Sequence, residues 1–397
     1  MTLASSQSRH RDAASSRSDE GAGKLDGVTL ITYVTRIHFG FGAVARLAQE
    51  LGRLNVTRPL LVTDSGLLGT GIADLVKGSI GGMAVFSDTP QNPTEKSARD
   101  AAQSFIDNAC DGFVALGGGS PIDLAKAAAL LVTHSGPLSS YAIANGGVDR
   151  IDADIPPIIA LPTTAGTGSE VARATVIITD TGAKLPIGSP YLIPKAAICD
   201  PELTYGLPAL LTAATGFDAL SHCVETFCSS AVNPPASAIA LDGVRRAVRF
   251  LERAVEDGND REARWHMLMA ALQGGLTFQK GLGGVHALAH PLGELGVHHG
   301  TVNAILLPHV LKFNRPHIEA KLGILARQIG VPGPADVPKF FSDFAKRCGL
   351  PIMLRDIGVT MDAMHSVPLK AAKDSCNATN PVPLSAVDYE IILREAL

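Results

Sequence analysis

The sequence has no long apolar run, no excess of basic charge and no paired-cysteine pattern. Its longest apolar stretches, such as AAALLV and IPPIIAL, are far shorter than the ~20 residues of a membrane-spanning helix. The net charge is −4 over 397 residues, without the basic stripe that is typical of a nucleic-acid surface. Six cysteines are scattered without CxxC spacing, as expected of reduced thiols. We therefore expect a cytoplasmic protein with neither a membrane span nor a nucleic-acid partner.

The first 27 residues are rich in Ser, Arg and Asp and contain no apolar segment of the kind that a signal peptide needs. Acidic residues such as Asp12 and Asp19 argue against a transit peptide. Because this composition offers too little apolar surface to bury, residues 1–27 are predicted to be a disordered tail.

The rest of the chain predicts two domains, because its length exceeds what one compact core usually supports. From residue 28 to 204, short strand-like runs alternate with helical segments; the runs are RPLLVTD, MAVFSD, DGFVALGGG and IPPIIALPTT. TLITYV is interpreted as one arm of a hairpin with RIHFG. This alternation predicts an α/β fold, a Rossmann-like parallel sheet with βαβ units. From 205 to 397 the pattern is almost entirely helical, which predicts a second, all-helical domain.

Four side chains of the helical part have the chemistry of a metal site. Asp218 and His222 are four residues apart and share one helix face, and His286 and His290 repeat that spacing. Three imidazoles and one carboxylate, from Asp218, His222, His286 and His299, form a complete ligand set for iron, zinc or nickel. Each residue alone is more often a structural polar group, but glycine and alanine around all four allow the backbones to approach closely.

Two glycine-rich turns in the α/β part predict a dinucleotide site. The first turn, Gly117–Gly119, joins a strand to a helix, with Ser120 as the predicted N-cap and Asp123 completing a capping box. Backbone N–H groups at such a helix start can bind a pyrophosphate. The second turn, LPTTAGTGSE, supplies the hydroxyls of Thr163, Thr164 and Thr167. Either turn alone could be only a tight connection, and neither is the GxGxxG fingerprint.

Asp64 ends a predicted strand and could accept hydrogen bonds from the adenosine ribose. Its charge would repel a 2′-phosphate, which favours NAD over NADP. The alternative is that Asp64 simply caps a helix. Asn92 lies in a turn before the next predicted helix and is a further candidate cofactor contact.

Together, GGGSPIDLAK, PTTAGTGSE, GFDALSHCVE, HALAHPLG and HHGTVNAILLPH resemble the iron-containing (group III) alcohol dehydrogenases over residues ~30 to 390. The resemblance implies NAD in the α/β domain and a divalent metal, Fe²⁺ with Zn²⁺ as the alternative, in the helical domain. It implies metal ligands at Asp218, His222, His286 and His299, and a histidine near the nicotinamide at His290, acting either as a proton relay or by orienting a ligand. The implied cofactor contacts are Asp64, Asn92, Gly118, Gly119, Ser120, Thr163, Thr164, Thr167 and Lys184.

The chain departs from the family pattern in three places. It has TNPV where the family often has TNPR, and segments near the third and fourth ligands are one residue shorter, which leaves His298 as the alternative to His299. Within the family, YVTRIHFGFGAV and NPPASAIALDG look closest to the 4-hydroxybutyrate dehydrogenase branch. An ω-hydroxy acid needs a cation for its carboxylate, and Arg173 and Lys280 are the two candidates.

The predicted function is NAD-linked interconversion of a short ω-hydroxy acid and its semialdehyde, a small-molecule substrate, by a homodimer joined through the N-terminal strand. The alternatives are a maleylacetate reductase, a general primary alcohol or aldehyde reductase, and a dehydroquinate-synthase-like lyase. Net formation or consumption of NADH would separate the lyase from the others, since a lyase leaves the cofactor unchanged overall.

Overall fold

The N-terminal half of the protein is built on a parallel sheet. The computed structural model describes residue 33 and residues 35–362 and 364–397, so the predicted tail at 1–27 lies outside the described residues. In chain order the strands are β1 Arg36–Phe39, β2 Pro59–Val62, β3 Ala84–Phe86, β4 Gly112–Gly117, β5 Ile158–Pro162, β6 Ala174–Ile178, β7 Lys184–Gly188 and β8 Ala196–Cys199. Among the described residues, six strands form one sheet in the order β1-β8-β5-β4-β2-β3, with all neighbours parallel.

The central strands are continuous apolar runs because helices cover both faces of the sheet. Every residue of β2 (PLLV), β4 (GFVALG) and β5 (IIALP) is buried. These strands and β3 confirm the four runs predicted from the sequence. RIHF forms β1, which pairs in parallel with β8. Its predicted hairpin partner TLITYV lies outside the described residues, apart from Tyr33.

Three strands were not predicted. β6 and β7 form a separate antiparallel pair, and β8 (AAIC) carries only one β-branched residue, so its composition is a weak strand signal. The β6–β7 pair packs on the helix that follows β4, where the Asp123 carboxylate accepts from Val176 N at 2.9 Å and from Ser169 Oγ at 2.6 Å. The predicted capping box is therefore wrong: the helix begins at Gly119 with Gly118 as N-cap, and Asp123 bonds to neighbouring segments instead.

The helices of the sheet domain are α1 Leu47–Arg53, α2 Ser65–Leu68, α3 Ile72–Gly78, α4 Glu95–Asp107 and α5 Gly119–Thr133. Thr94 and Ser97 form a capping box at the start of α4, which fixes where that helix begins. The chain runs from β2 outward to β3, returns to β4 on the other side of β2, and then continues to β5. The crevice at the carboxyl ends of β2 and β4 is thus a topological switch point, where α/β sheets bind their ligands.

From Ala209 onward the described chain is helical and contains no strand. The helices are α6 Ala209–Cys228, α7 Pro234–Glu256, α8 Arg261–Thr277, α9 Gly284–Gly293, α10 His299–Ile329, α11 Val337–Arg347, α12 Val367–Lys373 and α13 Ala386–Ala396. The predicted fold class, a Rossmann-like sheet followed by a helical domain, is confirmed. The exact boundary at 204/205 stays a prediction.

Close backbone contacts join the helices to each other and to the sheet domain. A Cβ on Gly300 would lie 2.2 Å from the Ala214 carbonyl oxygen, so α10 begins directly against α6. A Cβ on Gly168 would lie 2.5 Å from Gly275 Cα, so the second glycine-rich turn touches α8. Among the described residues, no helix is long and apolar enough to cross a membrane.

Candidate active site

The four predicted metal ligands converge from three helices. Asp218 and His222 lie one turn apart on α6, His286 is in the first turn of α9, and His299 is the first residue of α10. Asp218 Oδ1 is 3.3 Å from His222 Nε2, 3.6 Å from His286 Nε2 and 3.6 Å from His299 Nε2. A tetrahedral ion bonded at about 2.1 Å holds its donor atoms about 3.4 Å apart. These separations and this donor chemistry therefore fit a divalent first-row metal.

The tightest part of this cluster is the trio Asp218, His222 and His286, whose donor atoms all lie within 4.8 Å of one another. His299 completes the set from the more open side. His298, the alternative ligand, is the N-cap residue of α10, and its Nδ1 lies 3.4 Å from Thr301 Oγ1. The structure thus brings His299, and not His298, to Asp218.

Burial and charge make the cluster a strong acceptor of positive charge. Burial opposes ionisation of Asp218, yet the imidazoles around it hold the pKa of this carboxyl well below its usual range. Burial lowers the pKa of His222 to about 4 and that of His299 well below its usual value, which favours the neutral rings that metals bind. Three imidazole nitrogens and a carboxylate then face one point with their lone pairs.

Glu225 contacts the cluster through His286, and it was not predicted from the sequence. Its carboxylate accepts from His286 Nδ1 and, at 2.7 Å, from Val285 N. Because the carboxylate only accepts, His286 carries a hydrogen on Nδ1, and its Nε2, which faces Asp218, is the nitrogen that can bind a metal ion once it has lost its proton. Burial alone would lower the pKa of His286, but the Glu225 and Asp218 carboxylates raise it to about 9.

Asn303 is a second residue that the sequence analysis missed. It lies one turn after His299 on α10 and is completely buried. Its Nδ2 donates to Asp218 Oδ1 at 2.8 Å, and it lies 3.2 Å from His299 Nε2 and 3.3 Å from His286 Nε2. The amide group therefore holds the carboxylate of Asp218 in place.

The cluster opens into a large cleft between the sheet and the helices. The cavity volume is about 1960 Å³, well above the 300–1,000 Å³ of a typical single-ligand pocket. All nine predicted cofactor residues line it: Asp64, Asn92, Gly118, Gly119, Ser120, Thr163, Thr164, Thr167 and Lys184. The same cleft contains the metal-ligand candidates, so one space can hold a dinucleotide and a small substrate together.

The two glycine-rich turns pack against each other at the mouth of the switch point. A Cβ on Gly119 would lie 2.6 Å from Thr167 Cγ2, and one on Gly118 would lie 3.2 Å from Thr164 Cγ2. Ser120 Oγ donates to the Gln91 carbonyl at 2.5 Å and so ties the start of α5 to the turn before Asn92. Glycine is needed at Gly118 and Gly119 because side chains would force these turns apart.

The polar candidates around the turns already have protein partners. Asp64 follows β2 and accepts from Leu67 N at 3.0 Å, so the helix-cap interpretation is correct, and the residue also lines the cleft. Lys184 Nζ donates to Asn92 Oδ1 at 2.9 Å. Burial lowers the pKa of Lys184, so this ammonium group is a poorly hydrated donor that faces the cleft.

His290 lies beside the ligand cluster, one turn after His286 on α9. Its Nδ1 is 2.8 Å from Asp374 Oδ2, and its ring is stacked on that of His299 with 6.0 Å between the centroids. Because a carboxylate only accepts, Nδ1 carries the hydrogen and Nε2 is left as an acceptor in the neutral ring. Asp374 was not predicted, since nothing in the sequence relates two residues 84 positions apart.

The two candidates for carboxylate binding are separated by the fold. Arg173 is exposed and lines the cleft immediately before β6. Lys280 is buried, and its Nζ donates to Ser237 Oγ at 2.9 Å, while only its neighbours Gln279 and Gly281 line the cleft. The ammonium group of Lys280 does not reach the cleft, because it forms its hydrogen bond with Ser237 inside the helical domain.

The parallel sheet and the helical part of the chain share this cleft. Residues 34–201 match the family model described as iron-containing alcohol dehydrogenase, and residues 212–397 match that of the Fe-containing alcohol dehydrogenase family, C-terminal. The chain is 49% identical to 4-hydroxybutyrate dehydrogenase from Cupriavidus necator, over 93% of this chain and 100% of the relative. The chain belongs to the iron-containing alcohol dehydrogenase family.

Solved structures share the fold over nearly the whole chain. The crystal structure of a 1,3-propanediol oxidoreductase matches with a TM-score of 0.88 and 35% identity, over 93% of this chain and 100% of that one. Sulfoacetaldehyde reductase from Bifidobacterium kashiwanohense, in complex with NAD⁺, matches with a TM-score of 0.85 and 28% identity, over 93% of this chain and 99% of that one.

Proposed function

We propose that this protein is an NAD-linked, metal-containing alcohol dehydrogenase that interconverts a short ω-hydroxy acid of the 4-hydroxybutyrate type and its semialdehyde. The observation that carries the proposal is that the Asp218 cluster and the paired glycine-rich turns line one cleft. The 49% identity with a 4-hydroxybutyrate dehydrogenase supports the substrate class. A related structure in complex with NAD⁺ supports the cofactor.

The proposed metal ligands are Asp218, His222, His286 and His299, with Fe²⁺ as the proposed ion and Zn²⁺ as the alternative. When bound, such an ion supplies Lewis-acid stabilisation of negative charge on the alcohol or carbonyl oxygen. Glu225 fixes the tautomer of His286, and Asn303 holds Asp218 by its hydrogen bond. These two residues keep the donor atoms oriented before any ligand binds, which lowers the cost of assembling the site.

The proposed cofactor site extends from Asp64 to Lys184 along the carboxyl ends of β2 and β4. The N–H groups of Gly118, Gly119 and Ser120 at the start of α5 suit a pyrophosphate. Asp64, partly exposed and negative, suits the ribose hydroxyls of NAD better than the 2′-phosphate of NADP.

His290 is the proposed proton relay. With its Nδ1 hydrogen donated to Asp374, Nε2 can accept a proton from the alcohol side of the cleft. The Asp374 carboxylate stabilises the ring when it becomes charged, as in other carboxylate–histidine pairs. The bond to Asp374 therefore fixes the orientation of the His290 ring and leaves Nε2 as the nitrogen that can accept a proton.

Arg173 is the proposed partner of the substrate carboxylate, and the test compares 4-hydroxybutyrate with 1-butanol. Charge-assisted hydrogen bonds contribute ~1.5–3 kcal/mol each, so we expect Arg173→Ala to lower kcat/KM for hydroxybutyrate roughly 10- to 150-fold and to spare 1-butanol. Arg315→Ala, on the exposed face of α10, is the matched control and should change neither rate. Equal use of both substrates by the wild type would rule out the carboxylate partner and indicate a general alcohol dehydrogenase.

The metal and the oligomeric state need separate tests. We expect NADH-linked turnover to be lost on chelation and restored best by Fe²⁺ when Fe²⁺, Zn²⁺ and Mn²⁺ are compared. The homodimer stays a prediction, and sedimentation velocity tests it.

A further inference from the structure

A second group of metal-binding side chains lies in the cleft wall, apart from the Asp218 cluster. It consists of His290, Asp374 and Cys376, which we call the thiol cluster, and its three donor atoms lie within 4.8 Å of one another. All three residues are half-buried, and His290 and Cys376 line the cleft. The proposed catalytic cluster contains no sulfur, whereas this one does.

Asp374 is the shared centre of the thiol cluster. Its Oδ2 pairs with His290 Nδ1 at 2.8 Å, and its Oδ1 accepts from Cys376 N at 2.8 Å, which brings the cysteine back over the carboxylate. Asp374 is also the N-cap of the short helical turn Ser375–Thr379 that carries Cys376. The cluster is therefore held by local backbone structure on one side and by α9 on the other.

We propose that His290, Asp374 and Cys376 form a second, inhibitory site for a thiophilic divalent cation such as Zn²⁺. Imidazole nitrogen, carboxylate oxygen and thiolate sulfur are the ligands that Zn²⁺ uses in proteins, and three protein ligands leave a position open toward the cleft. Thiolate selects Zn²⁺ over harder ions, so the two clusters differ in metal preference.

The charges of the three side chains favour binding of a divalent cation at the thiol cluster. Before binding, the group consists of the Asp374 carboxylate, the Cys376 thiol and the His290 ring with a hydrogen on Nδ1. Binding of M²⁺ releases the thiol proton, and the carboxylate and the thiolate together neutralise the ion. The hydrogen of His290 moves from Nδ1, the nitrogen that faces Asp374, to Nε2. Burial raises the pKa of the Cys376 thiol, so without a metal the sulfur stays protonated.

The consequence for turnover rests on the proposed function. With Nδ1 ligated to the ion, Nε2 carries the hydrogen of the ring and can no longer accept a proton from the alcohol. Zinc bound at the thiol cluster would therefore block the relay while leaving the Asp218 cluster loaded. The inhibition should be saturable and reversed by a chelator.

Cobalt(II) spectroscopy tests binding independently of activity. Metal-stripped protein is titrated with Co²⁺, and we expect visible d–d bands from both clusters and a near-ultraviolet thiolate-to-cobalt band from the thiol cluster alone. Cys376→Ser should lose the near-ultraviolet band and keep the visible bands of the sulfur-free Asp218 cluster. Cys110→Ser, which alters the other half-buried cysteine, should keep both. Retention of the near-ultraviolet band in Cys376→Ser, or its absence from the wild type, would overturn the second site.

The two bands also separate this inference from the proposed function. If the wild type showed the near-ultraviolet band but Cys376→Ser showed no visible bands, the assignment of the Asp218 cluster would fail while the thiol site stood. In the iron-loaded enzyme, Zn²⁺ should lower hydroxybutyrate oxidation by the wild type and Cys110→Ser, but not by Cys376→Ser relative to its own zinc-free rate. Equal inhibition of all three would show that zinc acts elsewhere.

A measurement on the unmodified protein covers the case in which Cys376→Ser does not fold. Alkylation by iodoacetamide, followed by peptide mass spectrometry, reports the access of each cysteine. We expect saturating Zn²⁺ to slow the labelling of Cys376 at least tenfold and to leave Cys110 unchanged. Labelling of Cys376 that is insensitive to Zn²⁺ would contradict the proposal.

Discussion

One face of helix α6 carries Glu225 together with two of the predicted metal ligands. Glu225 lies seven residues after Asp218 and three after His222, so all three side chains leave α6 on the same side. The sequence therefore contained the signal for Glu225, although the residue is a carboxylate that contacts His286 and not a member of the donor set. Its partner on α9 lies 61 residues away, which only the fold could reveal.

We predict that Glu225→Gln weakens metal binding 10- to 100-fold, the range typical of changes to residues that orient a ligand. The amide oxygen can still accept from Val285 N, so the fold should survive, but the charge that holds His286 in one tautomer is lost. Competition against a chelator measures the affinity directly. Glu252→Gln, a surface residue paired with Arg347, is the control and should bind metal as the wild type does. Unchanged affinity in Glu225→Gln would contradict the role.

Asp64 has an observed role as a helix cap and a proposed role as a cofactor contact, and a suitable substitution can separate the two. Asn caps helices about as well as Asp, so Asp64→Asn should keep the bond to Leu67 N while removing the charge. We expect the transition-state free energy with NADP to fall by on the order of 1–2 kcal/mol relative to that with NAD, because one charge–charge repulsion is removed at a partly exposed site. The ratio of kcat/KM values for the two cofactors measures this change.

Asp64→Ala serves as the comparison for that experiment. It should shift the cofactor ratio similarly, but it should also lower stability by about 1 kcal/mol because the helix cap is lost. If neither variant altered the ratio, Asp64 would be a helix cap alone.

Among the elements, α10 shows how a helix start positions a ligand. His299 is its first residue, and Gly300 allows the backbone to touch α6 at Ala214. Because Asp218 lies one turn after Ala214, this contact sets the separation between Asp218 and His299. A side chain on Gly300 would move the start of α10 away from α6.

We predict that Gly300→Ala lowers metal affinity at least tenfold and destabilises the fold, because its Cβ would lie 2.2 Å from the Ala214 carbonyl oxygen. Gly323→Ala on the same helix is the matched control, since the nearest atom to its Cβ lies at 3.8 Å. That change should stabilise the protein by roughly 0.5–1 kcal/mol through helix propensity. Thermal unfolding and metal content are measured for both variants. If Gly300→Ala and Gly323→Ala behaved alike, the packing of α10 against α6 would not explain the metal affinity.

At the scale of the whole molecule, the two glycine-rich turns and the Asp218 cluster come from different parts of the chain. The turns follow β4 and β5, whereas the ligand candidates project from α6, α9 and α10. The second turn packs against the helices, since a Cβ on Gly166 would lie 2.8 Å from Thr215 Cβ on α6 and one on Gly168 would lie 2.5 Å from Gly275 Cα on α8. His286, on α9, lies outside these contacts, so its loss should leave the turns largely intact.

His286→Ala is predicted to abolish turnover and most metal binding while NADH affinity stays within several-fold of the wild type. Three remaining donors hold a metal far less tightly than four, whereas the ring of His286 bonds to Glu225 in the helical domain and not to the turns. Metal analysis and NADH fluorescence titration measure the two properties separately. His317→Ala, an exposed histidine on α10, is the control. Full metal content in His286→Ala would exclude this residue as a ligand.

The sequence alone was sufficient to predict the features that repeat along the chain. Continuous apolar runs identified β2, β3, β4 and β5, and helix spacing placed Asp218 with His222, because backbone periodicity is a local property. The interior strand β8, which lies between β1 and β5, was missed because a short strand of mixed composition becomes a strand only when neighbours pair with it. The β6–β7 pair was also missed, although β6 (ATVII) is rich in β-branched residues.

Tertiary structure alone decided which distant residues meet. Asp123, the predicted capping residue, bonds to Val176 of β6 instead, and Asp374 pairs with His290. Of the two candidate carboxylate partners, Lys280 is buried beside Ser237, whereas Arg173 lines the cleft. Local sequence encodes a side chain's chemistry and its helix face, whereas its partner depends on how separate elements pack. For that reason the candidate donor atoms could be listed from the sequence and Glu225 could be placed on their helix face, but its contact with His286 could not be predicted.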